Sequence, residues 1–344
     1  MARRRSYSRS SYGRRSYSRR RRGGIPVYPF VVLALIGVGG YLGCDPNSVS
    51  PGSDEPATAS SSPQYSSVIP ERSASKILVG SFNMQRLGKS KMKDPWVMER
   101  LAQVVRSFDV IAIQEINNKE QKAIPTLLTY VNKEGANYAY TISPLLGRSE
   151  RYLEQYAFVY DTTRVRSGQE YTYTVSDQED MMHREPFVGR FQAVSKSQPF
   201  EFTLVNVHTD PDEVKQELDV LAFVYQQVRQ YESPEDDVIL LGDLNQAPGK
   251  LQQLEQIPSM RSLVGNMPTM TKGEKTNDNI LVNAQATLEF TGRSGTFDLE
   301  QAFQLSEKDA LRLSDHLPVW AEFTLNEQAP NTGQVATGEQ ALTR

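Results

Sequence analysis

The sequence predicts an α/β fold in which two packed β-sheets are flanked by helices. Three observations point there. Strand-like and helix-like segments alternate from residue 76 to 325, strands outnumber helices, and the last segment alternates apolar and polar residues.

The elements follow in order. Ile77-Leu78-Val79 opens a strand that ends at Asn83. Val97, Leu101, Val104, Val105 and Phe108 recur at helical spacing. Val110-Ile111-Ala112-Ile113 and Ala157-Phe158-Val159-Tyr160 are short apolar strands, and 202–207 is a strong one. Asp210 is placed to cap a helix with Pro211 at its first position, and Val214, Leu218, Leu221, Tyr225 and Val228 give that helix its apolar stripe. Val238-Ile239-Leu240-Leu241 reads as a buried strand. Val319, Ala321, Phe323 and Leu325 alternate with Trp320, Glu322 and Thr324, which predicts a final strand covering a core on one side only.

Outside this domain (76–325) composition changes. Residues 1–24 are a basic low-complexity segment, with ten Arg and no acid in the first 22 residues. The net charge of the whole chain is -3, so the remainder carries about -13 by difference. Bulk charge therefore excludes a polyanion binder that works by a basic folded surface; a local basic patch or bound cations must supply the grip. Residues 25–44 are apolar and uncharged up to Cys44, of the kind found in an export signal or signal anchor. The expectation is a membrane-anchored protein with its folded domain outside the cytoplasm, periplasmic or extracellular. Gly43-Cys44 resembles the end of a bacterial lipoprotein signal, with Tyr41 where that family usually has Leu. Residues 45–75 read as a disordered linker and 326–344 as a disordered tail. Cys44 is the only cysteine, which excludes internal disulfides and Cys-based zinc sites.

The apolar strands end in polar groups: Ser81-Phe82-Asn83, Gln114-Glu115, Asn206-Val207-His208 and Gly242-Asp243-Leu244-Asn245, with Ser314-Asp315-His316 just before the last strand. A strand fixes its backbone, so its end presents a side chain with little positional freedom. Any one of these residues alone would be a turn or capping residue. Together they form a set of hard oxygen donors with a few imidazoles, suited to Mg²⁺, Mn²⁺ or Ca²⁺ rather than zinc.

These motifs, with Asn277-Asp278-Asn279-Ile280 and the continuation Leu317-Pro318-Val319, resemble the ordered motif set of the endonuclease/exonuclease/phosphatase superfamily across essentially all of 76–325. Arg151-Tyr152-Leu153-Glu154-Gln155-Tyr156, His183-Arg184-Glu185-Pro186-Phe187-Val188, and the spacing from Thr296-Phe297-Asp298 to His316 are similar to its deoxyribonuclease I branch. The resemblance implies a four-layer α/β sandwich and a metal-dependent phosphodiesterase acting on DNA, with Mg²⁺ as cofactor and no obligate protein partner. It implies that Glu115 binds the metal with help from Asn83, that Asp315 joins the acidic cluster, and that Asp243 orients a nucleophile or binds a second metal. Asn245 would donate to the phosphate. His316 would be oriented by Asp278 and His208 by Glu154, with His316 as base and His208 as acid or phosphate ligand, or the reverse. Arg184 would contact phosphate and Tyr152 the sugar or base face. The branch has Arg where this chain has Asn117, and Tyr where it has Asn277; both differences bear on DNA recognition. A phosphatase or phospholipase C-type hydrolase of inositol lipids or sphingomyelin is the alternative within the fold, and an inactive binding module the alternative outside enzymes.

Overall fold

The computed structural model describes residues 64–149, 152–232 and 237–328. The chain runs β1 (Gln64–Ser66), β2 (Lys76–Leu87), α1 (Lys89–Met92), α2 (Pro95–Arg106), β3 (Val110–Ile116), α3 (Ala123–Val131), β4 (Tyr138–Ile142), β5 (Gln155–Asp161), β6 (Val165–Arg166), β7 (Thr172–Thr174), β8 (Phe187–Ala193), β9 (Glu201–His208), α4 (Val214–Tyr231), β10 (Val238–Asp243), β11 (Met260–Ser262), β12 (Asp278–Asn283), β13 (Phe290–Thr296), α5 (Leu299–Phe303), α6 (Glu307–Leu313) and β14 (Val319–Thr324). The first sheet has the order β1-β13-β14-β2-β3-β5-β4, and the second β11-β12-β10-β9-β8-β6, with β7 also paired to β8.

Three apolar layers separate four layers of secondary structure. One lies between the first sheet and α2, α3 and α6; Leu101, Val105, Ile124 and Leu313 pack there on Phe82 and Ile111. The middle layer joins the sheets and holds Phe158, Phe187, Phe191, Phe200, Phe202 and Phe323. Phe200 and Phe202 stack with ring centroids 4.7 Å apart, and Phe158 on Phe187 at 5.2 Å. Each such buried ring contributes roughly 1.5–3 kcal/mol relative to exposure, so this layer fixes how the two sheets face each other. The third layer packs Leu218, Leu221, Tyr225 and Val228 of α4 on Val205 and Leu240. This is the expected four-layer sandwich.

Local chemistry explains the helix starts. Asp94 caps α2 by accepting from the amides of Trp96 and Val97, with Pro95 at the first helical position. At α4 the expectation fails. Asp210 does not cap the helix; its carboxylate accepts from Asp212 inside a turn, and Glu213 precedes the first helical residue. The last strand also departs from expectation. Both faces of β14 are buried: Val319, Ala321 and Phe323 face the middle layer while Trp320 sits in the helix-side layer, because β14 is an interior strand covered on both sides. The first sheet also takes in β1, upstream of residue 76, through parallel pairing with β13.

Among the described residues no helix is long and apolar enough to cross a membrane. Even α4, the longest, carries Lys215, Glu217, Asp219 and Arg229. The expected membrane-anchored location is corrected on this finding. Residues 1–24, the 25–44 segment with Cys44 on which that expectation rested, and 329–344 lie outside the described residues, as does Arg151.

Candidate active site

Strand direction gathers the polar ends at one edge of the sandwich. β2 and β3 are parallel, with Asn83 beside Gln114, and β9 and β10 are parallel, with His208 beside Asp243. Three neighbours run antiparallel to these, so their starts meet those ends: Asp278 at the start of β12 pairs with Asp243, Gln155 at the start of β5 with Ile116, and Val319 at the start of β14 with Ser81. Glu154 and Asp315-His316, just upstream of two of those starts, arrive at the same edge.

Two local devices refine the placement. Against β5 the pairing of β3 shifts register between Ile113 and Ile116, against β2 it shifts between Asn83 and Leu87, and Glu115 adopts a left-handed backbone at φ +55°. A bulge of this kind re-aims a side chain at a cost of about 1–3 kcal/mol for the unfavourable backbone. Two hydrogen bonds hold the result: Asn83 Nδ2 donates to Glu115 Oε1 at 3.0 Å and the Arg86 amide to Oε2 at 2.9 Å. In β10, Gly242 has φ +146°, and a Cβ there would lie 1.9 Å from the Val207 carbonyl oxygen. Glycine is required for β10 to lie this close to β9, and hence for Asp243 to stand beside His208.

Asp243 is the hub. Its Oδ2 lies 3.6 Å from Nε2 of both His208 and His316 and accepts from Asn83 Nδ2 at 3.0 Å. Its Oδ1 accepts from the Asn245 amide, and Asn245 Nδ2 donates to the Thr209 carbonyl. Each imidazole is backed by a carboxylate at Nδ1: Glu154 at 3.0 Å from His208, and Asp278 at 2.8 Å from His316. Thr269 Oγ1 donates to the same Asp278 oxygen. The Tyr156 hydroxyl oxygen accepts from the His208 amide at 3.0 Å. Arg184 is buried, donates from Nε to the His208 carbonyl at 3.1 Å and stands 3.7 Å from Glu154. Its Nη2 is buried without a hydrogen-bond partner.

Electrostatics follow from this packing. Burial alone would lower the His316 imidazole, but Asp278, Asp243 and Asp315 outweigh it and hold the group up at about 10. At His208 burial again lowers, Arg184 lowers further, and Glu154 with Asp243 still raises it above the ordinary value. Burial opposes ionisation of Asp243 and Glu154, yet the imidazoles facing each keep both carboxyls below the usual range.

Of the residues expected at the site, Asn83, Glu115, Glu154, Arg184, His208, Asp243, Asn245, Asp278 and His316 are joined by the contacts above, and Asp315 Oδ1 lies 3.9 Å from His316 Nε2. Tyr152 is 63% exposed, two residues before Glu154. Asn117 is turned toward the scaffold, donating to the Leu153 carbonyl.

A cation site requires oxygens with spare lone pairs. One ligand atom each from Asp243, Asp278 and His316 lie within 4.8 Å of one another. His316 Nδ1 and Asp278 Oδ2 bind each other, which leaves His316 Nε2, the buried and unpartnered Asp278 Oδ1, and Asp243 as the atoms of this trio that a cation could meet. Glu115 and Asp243 both accept from the Asn83 amide, and Asp315 Oδ1 is buried without a hydrogen-bond partner. Asn83 presents its amide nitrogen, not its oxygen, to Glu115 and Asp243; its Oδ1 accepts from the Gln85 amide.

Four contributors were not singled out as site residues in the sequence. Thr269 and Tyr156 brace the two imidazoles, and Lys91 donates to the carbonyls of Met84 and Leu313 at 2.6 Å each, tying the turns beside Asn83 and Asp315 together. The fourth, Glu217 of α4, is fully buried; it accepts from the His183 amide at 2.5 Å and the Asp210 amide at 2.7 Å. Two had a signal: Tyr156 closes one of the motifs that carry the resemblance, and Glu217 is a carboxylate within the apolar stripe of its helix.

The sequence pattern of the Endonuclease/Exonuclease/phosphatase family matches residues 80–316. The chain is 35% identical over 257 residues to a protein of Sus scrofa named deoxyribonuclease-1-like 1, covering 71% of this chain and 80% of that one. It is 32% identical over 270 residues to deoxyribonuclease gamma of Homo sapiens, covering 74% and 87%. Among solved structures, an endonuclease/exonuclease/phosphatase from Bacteroides vulgatus superposes with a TM-score of 0.51 at 15% identity, covering 73% of this chain and 99% of that one.

Proposed function

The chain belongs to the endonuclease/exonuclease/phosphatase family, in its deoxyribonuclease I-like branch, and from that premise we propose that it is a divalent-metal-dependent endonuclease that hydrolyses DNA. The observation that carries this reading is Asp243 Oδ2 standing 3.6 Å from both imidazoles, each backed by its own carboxylate. Two proton carriers facing one point suit a displacement at phosphorus, in which water loses a proton and the leaving oxygen gains one. The relatives named as deoxyribonucleases favour DNA as the substrate.

Glu115, Asp243 and Asp315 would hold the cation, with Asn83 bracing the first two. Mg²⁺ there, or Mn²⁺ or Ca²⁺, supplies positive charge against a non-bridging phosphate oxygen. The protein's own residues do the rest. Arg184, with an unsatisfied buried Nη2, offers a guanidinium to a second phosphate oxygen. Asn245 and Asp243 position the water and phosphate between the imidazoles, and Tyr152 stands on the exposed side of the Glu154 loop for the sugar or base face. Glu154 and Asp278 fix the Nδ1 tautomer, leaving each Nε2 to exchange the proton. The domain responsible is 76–325 together with β1.

Which imidazole accepts and which donates turns on charge. Carboxylates favour protonated His316 in the metal-free site, and Arg184 opposes protonation at His208. Rates against pH for His208→Ala and His316→Ala make the assignment: the base variant loses the acidic limb and the acid variant the alkaline limb.

Nicking of a supercoiled plasmid tests the reading as a whole. Activity with Mg²⁺, abolished by chelator and severely reduced in both histidine variants, is expected. Release of phosphocholine or inositol phosphate from lipid, with the plasmid untouched, would replace DNA by a lipid substrate; no hydrolysis of any phosphate ester would leave a binding module.

A further inference from the structure

Next to Glu115, near the end of β2, the chain bulges in a way that its residues do not favour, where the pairing with β3 shifts register between Asn83 and Leu87. Gln85 and Arg86 are consecutive non-glycine residues in the left-handed region, at φ +39° and +56°. Side chains of the site hold them there: the Gln85 amide donates to Asn83 Oδ1 and the Arg86 amide to Glu115 Oε2, both at 2.9 Å. Leu87, the next residue, is buried and anchors the bulge to the core. The strained backbone thus puts Arg86 at the rim of the site, with its side chain exposed and without an ion pair or hydrogen bond among the described residues. Its basic neighbours are otherwise engaged. Lys89 and Lys122 pair with Glu120, Lys91 is spent on two carbonyls, and Arg184 is buried beside Glu154.

We propose that Arg86 is a substrate-contacting residue that grips a backbone phosphate of the polynucleotide next to the scissile one. The inference rests on the nuclease reading above and deepens it. The folded part of the chain is acidic, so a long polyanion must be met by particular cations rather than by general attraction. A guanidinium with no carboxylate partner, anchored through its own amide to Glu115, is placed to meet the phosphate beside the one being cut. Asn117, on the other side of Glu115, cannot take that part: it is uncharged and directed at Leu153. Backbone strain at the edge of a catalytic centre is commonly retained where it positions a functional group.

The test compares two substrates in the presence of Mg²⁺: duplex DNA, which has flanking phosphates, and bis(p-nitrophenyl) phosphate, which has none. Arg86→Gln removes the charge and keeps the backbone amide; Arg86→Lys keeps the charge. For Arg86→Gln the KM for DNA should rise roughly threefold to tenfold, and the slope of log(kcat/KM) against log salt should flatten by about 1. Its loss on the small diester should be several-fold smaller than on DNA. Arg86→Lys should retain the wild-type salt slope. An unchanged KM and slope for DNA in Arg86→Gln overturns the proposal, and so does an equal loss on both substrates, which would place the effect in the bulge and Glu115. Wild-type protein that cleaves the small diester but not DNA overturns the nuclease reading itself, and with it this contact.

Discussion

Asn83 of the first sheet donates to Asp243 of the second at 3.0 Å, and the same amide nitrogen donates to Glu115. One side chain thus stands between two carboxylates and links the two sheets at the catalytic edge. Like charges at this separation repel, and the amide offsets part of that repulsion. Asn83→Ala should lower kcat/KM on plasmid DNA on the order of 100-fold, since Glu115 and Asp243 lose their shared brace. The stability deficit gives a second readout. In chelator the melting temperature should fall by several degrees, and Mg²⁺ should restore most of that loss by taking over neutralisation of the carboxylates. A deficit that Mg²⁺ leaves unchanged would show that Asn83 is a packing residue with no part in the cation site.

The His316–Asp278 pair makes the metal-free protein sensitive to alkali. The folded-state pKa of His316 is raised from 6.5 to about 10, so the folded protein holds its proton where the unfolded chain releases it. The stabilisation is fully present below about pH 6.5 and is lost as pH rises through about 10. Urea midpoints measured in chelator should therefore decline between pH 7 and 10, and the decline should be shallower in Asp278→Asn, which removes the largest favourable partner. Histidine NMR titration gives the same quantity directly; a His316 midpoint near 6.5 in the wild type contradicts the pairing.

The site was legible largely because its residues end apolar runs. Asn83, Glu115, His208 and Asp243 follow Ile77-Leu78-Val79, Val110-Ile111-Ala112-Ile113, 202–207 and Val238-Ile239-Leu240-Leu241, and regular strands carry such ends to one edge wherever neighbours run in compatible directions. Thr269 lies in an irregular loop, where no periodicity reports which atom it will face. Trp320 and Glu322 read as a polar alternation, yet both are buried because β14 is covered on two sides. Asp210 has the residue type and the following proline of a cap, but its carboxylate is committed to the Asp212 amide in a turn, and the helix starts later. Short edge strands such as β6 and β11 pair through their backbones and leave no apolar pattern in the sequence.

Glu217 provides the last prediction. Its two carboxylate oxygens accept from the His183 and Asp210 amides, and so clamp the loop carrying Arg184 to the loop that follows His208. Glutamine in its place keeps the shape but has one acceptor oxygen, which leaves one half-buried loop amide without that partner, at a cost toward the low end of about 1–3 kcal/mol. If the clamp acts by positioning Arg184, Glu217→Gln should lower kcat on DNA on the order of tenfold, in excess of any effect on the fraction folded. The same substitution in an Arg184→Ala background should then have little further effect on kcat, because the group it positions is gone. Additive losses in the double variant would instead make Glu217 a support of the fold that acts independently of Arg184.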